Sequence, residues 1–247
     1  MGDDAFVLLP GERLDPLDRE GLRVIQPEKG YCFSMDAVLL SHFARVKKHE
    51  HVIDLGTGSG VIPLLLHARE KTLLIDALEL DEEAAERAAR SVRGNGLESA
   101  IRVLPGDLRH LPGTLPRAAY HLVLCNPPYG RREQPAPARV LPTTEAGCTF
   151  RDVVRAAGSL LRFSGRFACC WPAQRLQDAL DALSQNRFAV KRLRPVYTRP
   201  GKNAYLCLIE AVLGGRPGLT MEPALNVLTG DGAETEEIRR IYGETGQ

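Results

Sequence analysis

The segment DLGTGSG at residues 54–60 constrains the fold more than any other feature of the sequence. It follows residues 51–55, an apolar run with the length of a buried strand, and it precedes residues 61–69, whose apolar spacing predicts a helix. Glycine permits a tight turn and lets a ligand approach the backbone closely. A strand, a glycine turn and a helix in this order are typical of the ligand-binding corner of an α/β sheet.

The spacing of the three glycines separates this segment from other glycine loops. They are arranged G-x-G-x-G, whereas a dinucleotide fingerprint requires G-x-G-x-x-G, and Val61 stands where the last fingerprint glycine belongs. A P-loop would end in Gly-Lys-Ser/Thr, which the segment lacks. We therefore expect a ligand other than a dinucleotide pyrophosphate or a nucleoside triphosphate.

Strand-like and helical patterns alternate along the rest of the chain. Strand patterns cover residues 51–55, 73–80, 101–105, 119–125 and 166–171, and helical patterns cover 34–46, 61–69, 81–93, 149–162 and 173–185. Two further strand-like runs, 187–197 and 204–213, flank the turn TRPGKN and predict a hairpin. Nearly continuous apolar strands that alternate with helices predict a doubly wound, mostly parallel seven-stranded sheet with an antiparallel C-terminal hairpin, and ligands bind at the carboxyl ends of such strands.

Composition excludes several classes of protein. The chain has 247 residues, 44% of them hydrophobic and 26% charged, with a net charge of +1, so intrinsic disorder is excluded. No apolar run approaches the roughly 20 residues of a membrane span, and the start lacks the basic-then-apolar order of a signal peptide. We expect no membrane association and a cytoplasmic location.

The six cysteines predict neither a disulfide framework nor a metal site. No pair has C-x-x-C spacing, so the sequence carries no zinc or redox motif. Free and mostly buried thiols are expected, and the neighbours Cys169 and Cys170 should point to opposite faces of one strand. The cysteines are Cys32, Cys125, Cys148, Cys169, Cys170 and Cys207.

The segment Asn126-Pro127-Pro128-Tyr129 follows the fourth strand and should share an edge with the glycine loop. The two prolines remove two N–H donors and restrict the backbone, which leaves free carbonyl acceptors in a rigid turn. The Asn side chain adds another acceptor, and the tyrosine offers a flat face for stacking. Two convergent acceptors suit a group with two N–H bonds, such as an exocyclic amine or a primary amide. All four residues are candidate catalytic residues.

Three acidic residues end or follow the next strands. Glu79 ends the second strand at the distance expected of a ribose-binding acid, Asp81 is expected to cap the following helix, and Asp107 follows the third strand in a turn.

These motifs resemble motif I and motif IV of class I methyltransferases that use S-adenosylmethionine, and nearly the whole chain resembles the tRNA(Val) adenine-N6 methyltransferase family. The likeness includes KGYCFSMDAVLL at 29–40, DLGTGSGVIPLLL, NPPY and RPVYTRPGKNAYLCLIEAVL. It implies a class I methyltransferase fold, methyl transfer to adenine N6 of a tRNA near the anticodon, and a monomer or a weak homodimer. It implies that Asp54 lies near the methionine moiety of the cofactor and that Asp107 binds the adenine amine. The implied cofactor-binding residues are Phe33, Ser34, Asp36, Asp54, Gly56, Thr57, Gly58, Gly60, Glu79, Asp107 and Asn126.

The resemblance divides the chain into three parts of one structural domain. Residues 1–50 are expected to cover the cofactor, residues 51–215 form the methyltransferase domain, and residues 216–247 form an acidic, turn-rich tail. For Ser34 a helix cap, and for Phe33 a place in the core, remain alternative interpretations.

The near-zero net charge conceals two basic segments. Residues 187–202 contain six Lys or Arg and no acid, and residues 131–166 contain seven Arg against three acids. Basic patches neutralise phosphates, so these segments are candidates for a tRNA-binding surface, although a solvated basic face has the same composition. The residues favoured for RNA are Arg194, Arg199 and Lys202, close to Tyr197.

Other functions stay open. The NPPY motif also occurs in enzymes that methylate a protein glutamine amide, although the long N-terminal helical domain of that family is absent. A DNA adenine methyltransferase would need a target-recognition domain for which the chain has no room. A noncatalytic RNA-binding relative is the last alternative, and the intact motif pair argues against it.

Overall fold

The computed structural model describes residues 5–17, 20–30, 32–127 and 148–243. The strands within these ranges are β1 Glu12–Pro16, β2 Arg23–Pro27, β3 His51–Leu55, β4 Leu74–Glu79, β5 Ile101–Pro105, β6 Tyr120–Cys125, β7 Leu161–Pro172, β8 Phe188–Tyr197, β9 Ala204–Leu213, β10 Thr220–Met221 and β11 Leu225–Asn226. The helices are α1 Met35–Phe43, α2 Val61–Arg69, α3 Glu82–Gly94, α4 Phe150–Leu160, α5 Leu176–Gln185 and α6 Glu236–Tyr242.

Seven of the strands form the main sheet in the order β5-β4-β3-β6-β7-β9-β8, and the two-residue strands β10 and β11 extend it beside β8. All seven run parallel except β9, which pairs antiparallel with both β7 and β8. The predicted fold class is confirmed. The chain leaves β3 toward β4 and β5 and later returns on its other side through β6 and β7. This reversal is where doubly wound sheets bind ligands.

Helices cover both faces of the sheet because alternate strand residues are apolar on each face. Helices α1, α2, α3 and α6 pack on one face, around Leu40 and Leu64, and helices α4 and α5 pack on the other, around Val154 and Leu183. The expected division of Cys169 and Cys170 is confirmed, since each belongs to a different one of these two cores. Within the described residues, no helix is long and apolar enough to cross a membrane.

The N-terminal segment contains a two-stranded hairpin, β1 with β2, that the sequence patterns do not predict. Its position depends on α3. The carboxylate of Glu12 accepts hydrogen bonds from the Arg90 guanidinium at 2.6 and 2.8 Å and from Arg87 Nε at 3.0 Å. Asn95 Nδ2 donates to the Arg23 carbonyl at 2.7 Å. The hydrogen bond from Arg90 lowers the pKa of Glu12 to about 2 although burial acts in the opposite direction.

The segment after residue 216 packs against the body of the protein as far as residue 243. Strands β10 and β11 pair in parallel with β8, and α6 begins at Thr235, whose hydroxyl caps the helix. Ile238 and Ile241 are buried in the same core as α1. The acidic character of this segment has a local explanation, because Glu236 and Glu237 lie in the first turn of α6, where negative charge is favourable.

A polar network lies near the amino ends of β3 and β6, on the edge opposite the glycine loop. The buried Asp76 accepts a hydrogen bond from the Tyr120 hydroxyl at 2.5 Å and from Arg102 Nε at 2.8 Å, and His51 Nε2 lies 3.1 Å from it. Burial opposes ionisation of this carboxyl, but His51, Arg102 and Tyr120 together hold the pKa of Asp76 well below its usual value. The network is therefore a stabilising element away from the candidate site.

Candidate functional site

The glycine loop has the backbone conformation that its sequence requires. Gly56, Gly58 and Gly60 have φ angles of 74°, 57° and 83°, in the left-handed region that side-chain-bearing residues rarely adopt. A Cβ atom at Gly56 or Gly58 would meet nothing within 4 Å, so the loop lines open space. A Cβ at Gly60 would lie 3.3 Å from Ala88 Cβ, so this glycine permits close packing of the loop on α3.

Glu79, at the end of β4, supports the loop from the neighbouring strand. One of its carboxylate oxygens accepts the Gly58 N–H at 2.7 Å and the other accepts the Asp81 N–H at 3.0 Å. The predicted helix cap at Asp81 is confirmed, because its side chain accepts the N–H groups of Glu83 and Ala84. The Glu79 carboxylate retains lone pairs toward the site, since each oxygen has used only one.

Asp54, the last residue but one of β3, is fully buried, and neither of its carboxylate oxygens has a hydrogen-bond partner within the described residues. The Thr57 hydroxyl is also buried and unpaired there. Burial raises the pKa of Asp54 to about 7. The neighbouring Thr57 side chain opposes this increase, and the charge of Glu79 adds to it. Buried polar groups without partners are costly, so these atoms are suited to a ligand that supplies N–H or hydroxyl donors.

Asn126 directly follows β6, and Pro127, next to it, is buried. The parallel register places Asp54 of β3 opposite Leu124 of β6, so Asn126 emerges beside the start of the glycine loop. Asn126 Oδ1 accepts a hydrogen bond from the Cys170 thiol at 3.0 Å. Pro128 and Tyr129 lie outside the described residues, as does the predicted loop at 130–147.

The first turn of α1 contributes a further acidic residue. The helix cap expected at Ser34 is confirmed by its N-cap position. Its side chain makes no capping hydrogen bond within the described residues, and its backbone carbonyl accepts the Ala37 N–H. The Phe33 N–H donates to Gln26 Oε1 at 3.1 Å, and its ring packs against the core. Burial raises the pKa of Asp36, for which no hydrogen bond or ion pair is found among the described residues.

Two residues at this edge were missed by the sequence analysis. Leu80 follows Glu79 and is 52% exposed, an apolar side chain left open at a ligand-binding edge. Tyr205, near the start of β9, is 37% exposed, and its partial burial raises its pKa, an effect to which the negative charge of Asp36 adds. The detectable sequence features are an apolar residue immediately after the strand-ending acid and an aromatic residue two positions after the TRPGKN turn.

Asp107 is held by its own turn. Its carboxylate accepts the Arg109 backbone N–H at 2.8 Å and the Arg109 guanidinium at 2.6 Å, which lowers the pKa of Asp107 to about 2. This is the turn-forming role that the sequence left open. A contact between Asp107 and adenine stays a prediction.

The basic segment 187–202 does not act as one surface. The Arg194 side chain is 16% exposed and pairs with Glu237 at 2.8 Å, and buried Arg192 pairs with Glu210 at 3.1 Å. Because β8 runs parallel to β3, Arg187 at its amino end lies on the edge opposite the glycine loop. The segment 187–202 therefore does not form one continuous candidate surface for tRNA.

The turn between β8 and β9 does lie on the edge of the glycine loop. Arg199 and Lys202 are both exposed in this turn. They are the two cations of the segment that combine exposure with the ligand-binding edge of the sheet.

Comparisons with known proteins agree with this geometry. Residues 34–186 match the model of the methyltransferase small domain family. The chain is 30% identical over 177 residues to a tRNA1(Val) (adenine(37)-N6)-methyltransferase of Aeromonas salmonicida, covering 70% of this chain and 73% of the relative. It is 27% identical over 212 residues to the protein of the same name from Tolumonas auensis, covering 85% and 87%.

A solved structure has the same fold over most of its length. It is a protein of Agrobacterium tumefaciens described as a predicted O-methyltransferase, with a TM-score of 0.71 and 25% identity, covering 86% of this chain and 98% of that one.

The residues at the carboxyl edge fit S-adenosylmethionine. The unpaired oxygens of Asp54 and Thr57 are acceptors or donors for its polar groups, the remaining lone pairs of Glu79 suit a ribose diol, and a Cβ at Gly56 or Gly58 would fill the space in front of the loop. The match to the family model extends from the first turn of α1 to the end of α5 and includes every one of these residues. The chain belongs to the methyltransferase small domain family and is an S-adenosylmethionine-dependent methyltransferase.

Proposed function

We propose that the protein transfers a methyl group to the N6 amine of an adenine in tRNA, close to the anticodon. The observation that carries the proposal is the position of Asn126 at the carboxyl end of β6, beside the glycine loop. Its side-chain oxygen is an acceptor at this edge, and Pro127 is the next residue. The names of the relatives support tRNA and adenine N6. A tRNA substrate would place the protein in the cytoplasm.

The chemistry of the acceptor amine explains the need for this Asn-Pro pair. The lone pair of an aromatic amine is delocalised into the ring, so the nitrogen is a weak nucleophile. Asn126 Oδ1 and a backbone carbonyl of the turn can accept its two N–H bonds, which draws the nitrogen toward tetrahedral geometry and localises the lone pair. Pro127 has no N–H, so it cannot act as a competing donor. Orienting the nitrogen in this way can lower the barrier by several kcal/mol.

The cofactor would be held by the loop and by the two acids that flank it. Asp54 and Thr57 would bind its methionine moiety, Glu79 its ribose hydroxyls, and Gly56 to Gly60 would form the floor. When bound, S-adenosylmethionine supplies a methyl group that its sulfonium has already activated. The remaining work of the chain is to bind and orient the acceptor.

The exposed turn between β8 and β9 supports an RNA acceptor. Arg199 and Lys202 are solvent-accessible on the edge that holds the glycine loop, where they can neutralise phosphates of a bound RNA. Arg194 is committed to Glu237, so its predicted RNA contact would require that ion pair to open.

The experiment that tests the function uses the purified protein, cofactor labelled in its methyl group, and separated tRNA, DNA and protein fractions. We expect label in tRNA, recovered as N6-methyladenosine after digestion to nucleosides. Label in protein alone would replace the proposal by glutamine methylation. Binding of cofactor without transfer to any fraction would indicate a noncatalytic RNA-binding relative.

A further inference from the structure

A buried thiol contacts the amide oxygen to which we assign the acceptor amine. Cys170 lies in β7, is fully buried, and its Sγ is 3.0 Å from Asn126 Oδ1. The contact follows from the sheet register, because Cys125, the last residue of β6, pairs with Cys169 of β7. Asn126 and Cys170 are the residues that follow these two in the chain. Two neighbouring parallel strands therefore place this thiol and this amide side by side.

The orientation of the Asn126 amide decides whether it can accept a hydrogen bond from an amine. The oxygen and the NH2 group of an asparagine side chain have nearly the same shape but opposite hydrogen-bonding character. If the amide were rotated by half a turn, an NH2 donor would face the N–H donors of the acceptor and the site would repel it. The reactive arrangement is therefore favoured by a neighbouring donor that bonds to the amide oxygen.

We propose that Cys170 is a positioning residue, whose thiol donates to Asn126 Oδ1 and holds the amide in the orientation that accepts the substrate amine. A carbonyl oxygen has two lone pairs, so one thiol donor does not by itself exhaust its capacity to accept hydrogen bonds. A thiol is a weak donor, so it orients the oxygen without competing strongly for its electrons. Because Cys170 is buried, water cannot replace the thiol in this role.

This inference rests on the proposed role of Asn126, and Cys169 offers a matched control. Cys169 is the neighbouring residue, is equally buried, and belongs to the core on the other face of the sheet. Removing either sulfur creates a cavity of the same size in one strand. Of these two cysteines, Cys170 is the one whose thiol donates to Asn126.

The first experiment compares Cys170→Ala, Cys170→Ser and Cys169→Ala, with methyl transfer, cofactor affinity and melting temperature measured for each. We expect Cys170→Ala to lower kcat about three- to tenfold, the loss of one ordinary hydrogen bond, with cofactor affinity unchanged. Cys170→Ser should recover most of kcat because it restores a donor. Cys169→Ala should lower the melting temperature and leave kcat unchanged. Equal kcat in Cys170→Ala and the wild type, or failure of serine to restore it, would overturn the proposal.

The second experiment detects the hydrogen bond between Cys170 and Asn126 and needs no methyl acceptor. The S–H stretching band of Cys170 is identified in the Raman spectrum by its absence from Cys170→Ala. We expect Asn126→Ala to shift this band to higher frequency, because the thiol loses its acceptor, and an unshifted band would contradict the contact. If no fraction accepts a methyl group, the proposed function fails, and the Raman result alone decides whether Cys170 orients Asn126.

Discussion

The Glu79 carboxylate accepts the Gly58 N–H at 2.7 Å and so joins the end of β4 to the loop that follows β3. The loop is held in its left-handed conformation by a side chain from a neighbouring strand as well as by its own glycines. Because the carboxylate also accepts the Asp81 N–H at 3.0 Å, one residue orders both the loop and the start of α3. The cofactor therefore meets a site that is already arranged.

Replacing Glu79 by Gln should weaken cofactor binding more than it weakens the fold. Glutamine has one acceptor oxygen, so it can serve either Gly58 or Asp81 but not both, and its NH2 group would face an N–H donor. We expect the Kd for S-adenosylhomocysteine, measured by calorimetry, to rise at least about tenfold, or 1.4 kcal/mol. Glu82→Gln, an exposed residue in the next turn, should leave the Kd unchanged. Equal effects of the two substitutions would show that Glu79 has no special role.

Asp54→Asn should stabilise the cofactor-free protein at high pH and reduce cofactor binding. The pKa of Asp54 in the folded state is about 7, above the ordinary value of 3.8, so ionisation of its buried carboxyl opposes folding as the pH rises between these values. Asparagine carries no charge, and we expect the free energy of unfolding of the variant to exceed that of the wild type by on the order of 1–3 kcal/mol at pH 8. Thermal melts at pH 5 and pH 8 measure this, and the gain should shrink at the lower pH. A wild type that is the more stable protein at pH 8 would contradict the assignment.

Asn126→Ala should separate catalysis from cofactor binding. Alanine removes the acceptor that orients the amine, and loss of one well-placed hydrogen-bonding group at a reacting centre costs about 10²–10³ in kcat. The Kd for the cofactor should stay within about threefold of wild type, since the glycine loop and its supporting acids are unchanged. Single-turnover transfer and calorimetry measure the two quantities, and near-normal transfer would remove Asn126 from the catalytic residues.

The turn between β8 and β9 should contribute to RNA affinity through charge. The double substitution Arg199→Ala and Lys202→Ala should raise the KM for tRNA, and it should reduce by about two the slope of log KM against log salt concentration. The control is the double substitution Arg187→Ala and Arg216→Ala, which removes the same charge. Both residues are exposed and lie near the ends of β8 and β9 that are away from the turn, so the slope should stay unchanged. The proposed RNA surface is wrong if both pairs change the slope equally.

Asp76→Ala should destabilise the fold by about 3 kcal/mol, because it leaves the buried Tyr120 hydroxyl and the partly buried His51 without their acceptor. The pKa of Asp76 is below 3.8 in the folded state, so its stabilisation is complete above about pH 4 and is lost as the pH falls through the folded-state pKa. Urea unfolding measures the free energy of unfolding of the wild type and of Asp76→Ala at several pH values. The difference between the two proteins should be constant from pH 5 to pH 8 and should become smaller in acid. Asp181→Ala, on the exposed face of α5, should change stability by less than about 0.5 kcal/mol.

Local sequence was sufficient to predict the main sheet and its helices, because these elements repeat a simple apolar pattern. The strands 51–55 and 101–105 and the helix 61–69 were predicted at the bounds that the structure has. The hairpin of β1 and β2 was missed because its short strands depend on Glu12 and Asn95, whose partners lie 78 and 72 residues away. Helix α6 was missed because its seven residues are mostly polar, and its contacts with the core come from a few residues, among them the buried Ile238 and Ile241.

Local sequence predicted the glycine loop, the acids that flank it and the Asn-Pro turn, because each depends on backbone restrictions or strand endings that neighbouring residues specify. Tertiary structure decided which of these groups meet. It joined Glu79 to Gly58, placed Cys170 beside Asn126 across 44 residues, and committed Arg194 to Glu237 while leaving Arg199 exposed. The physical reason is that pairing across a sheet depends on strand order and register, which no local pattern of residues encodes.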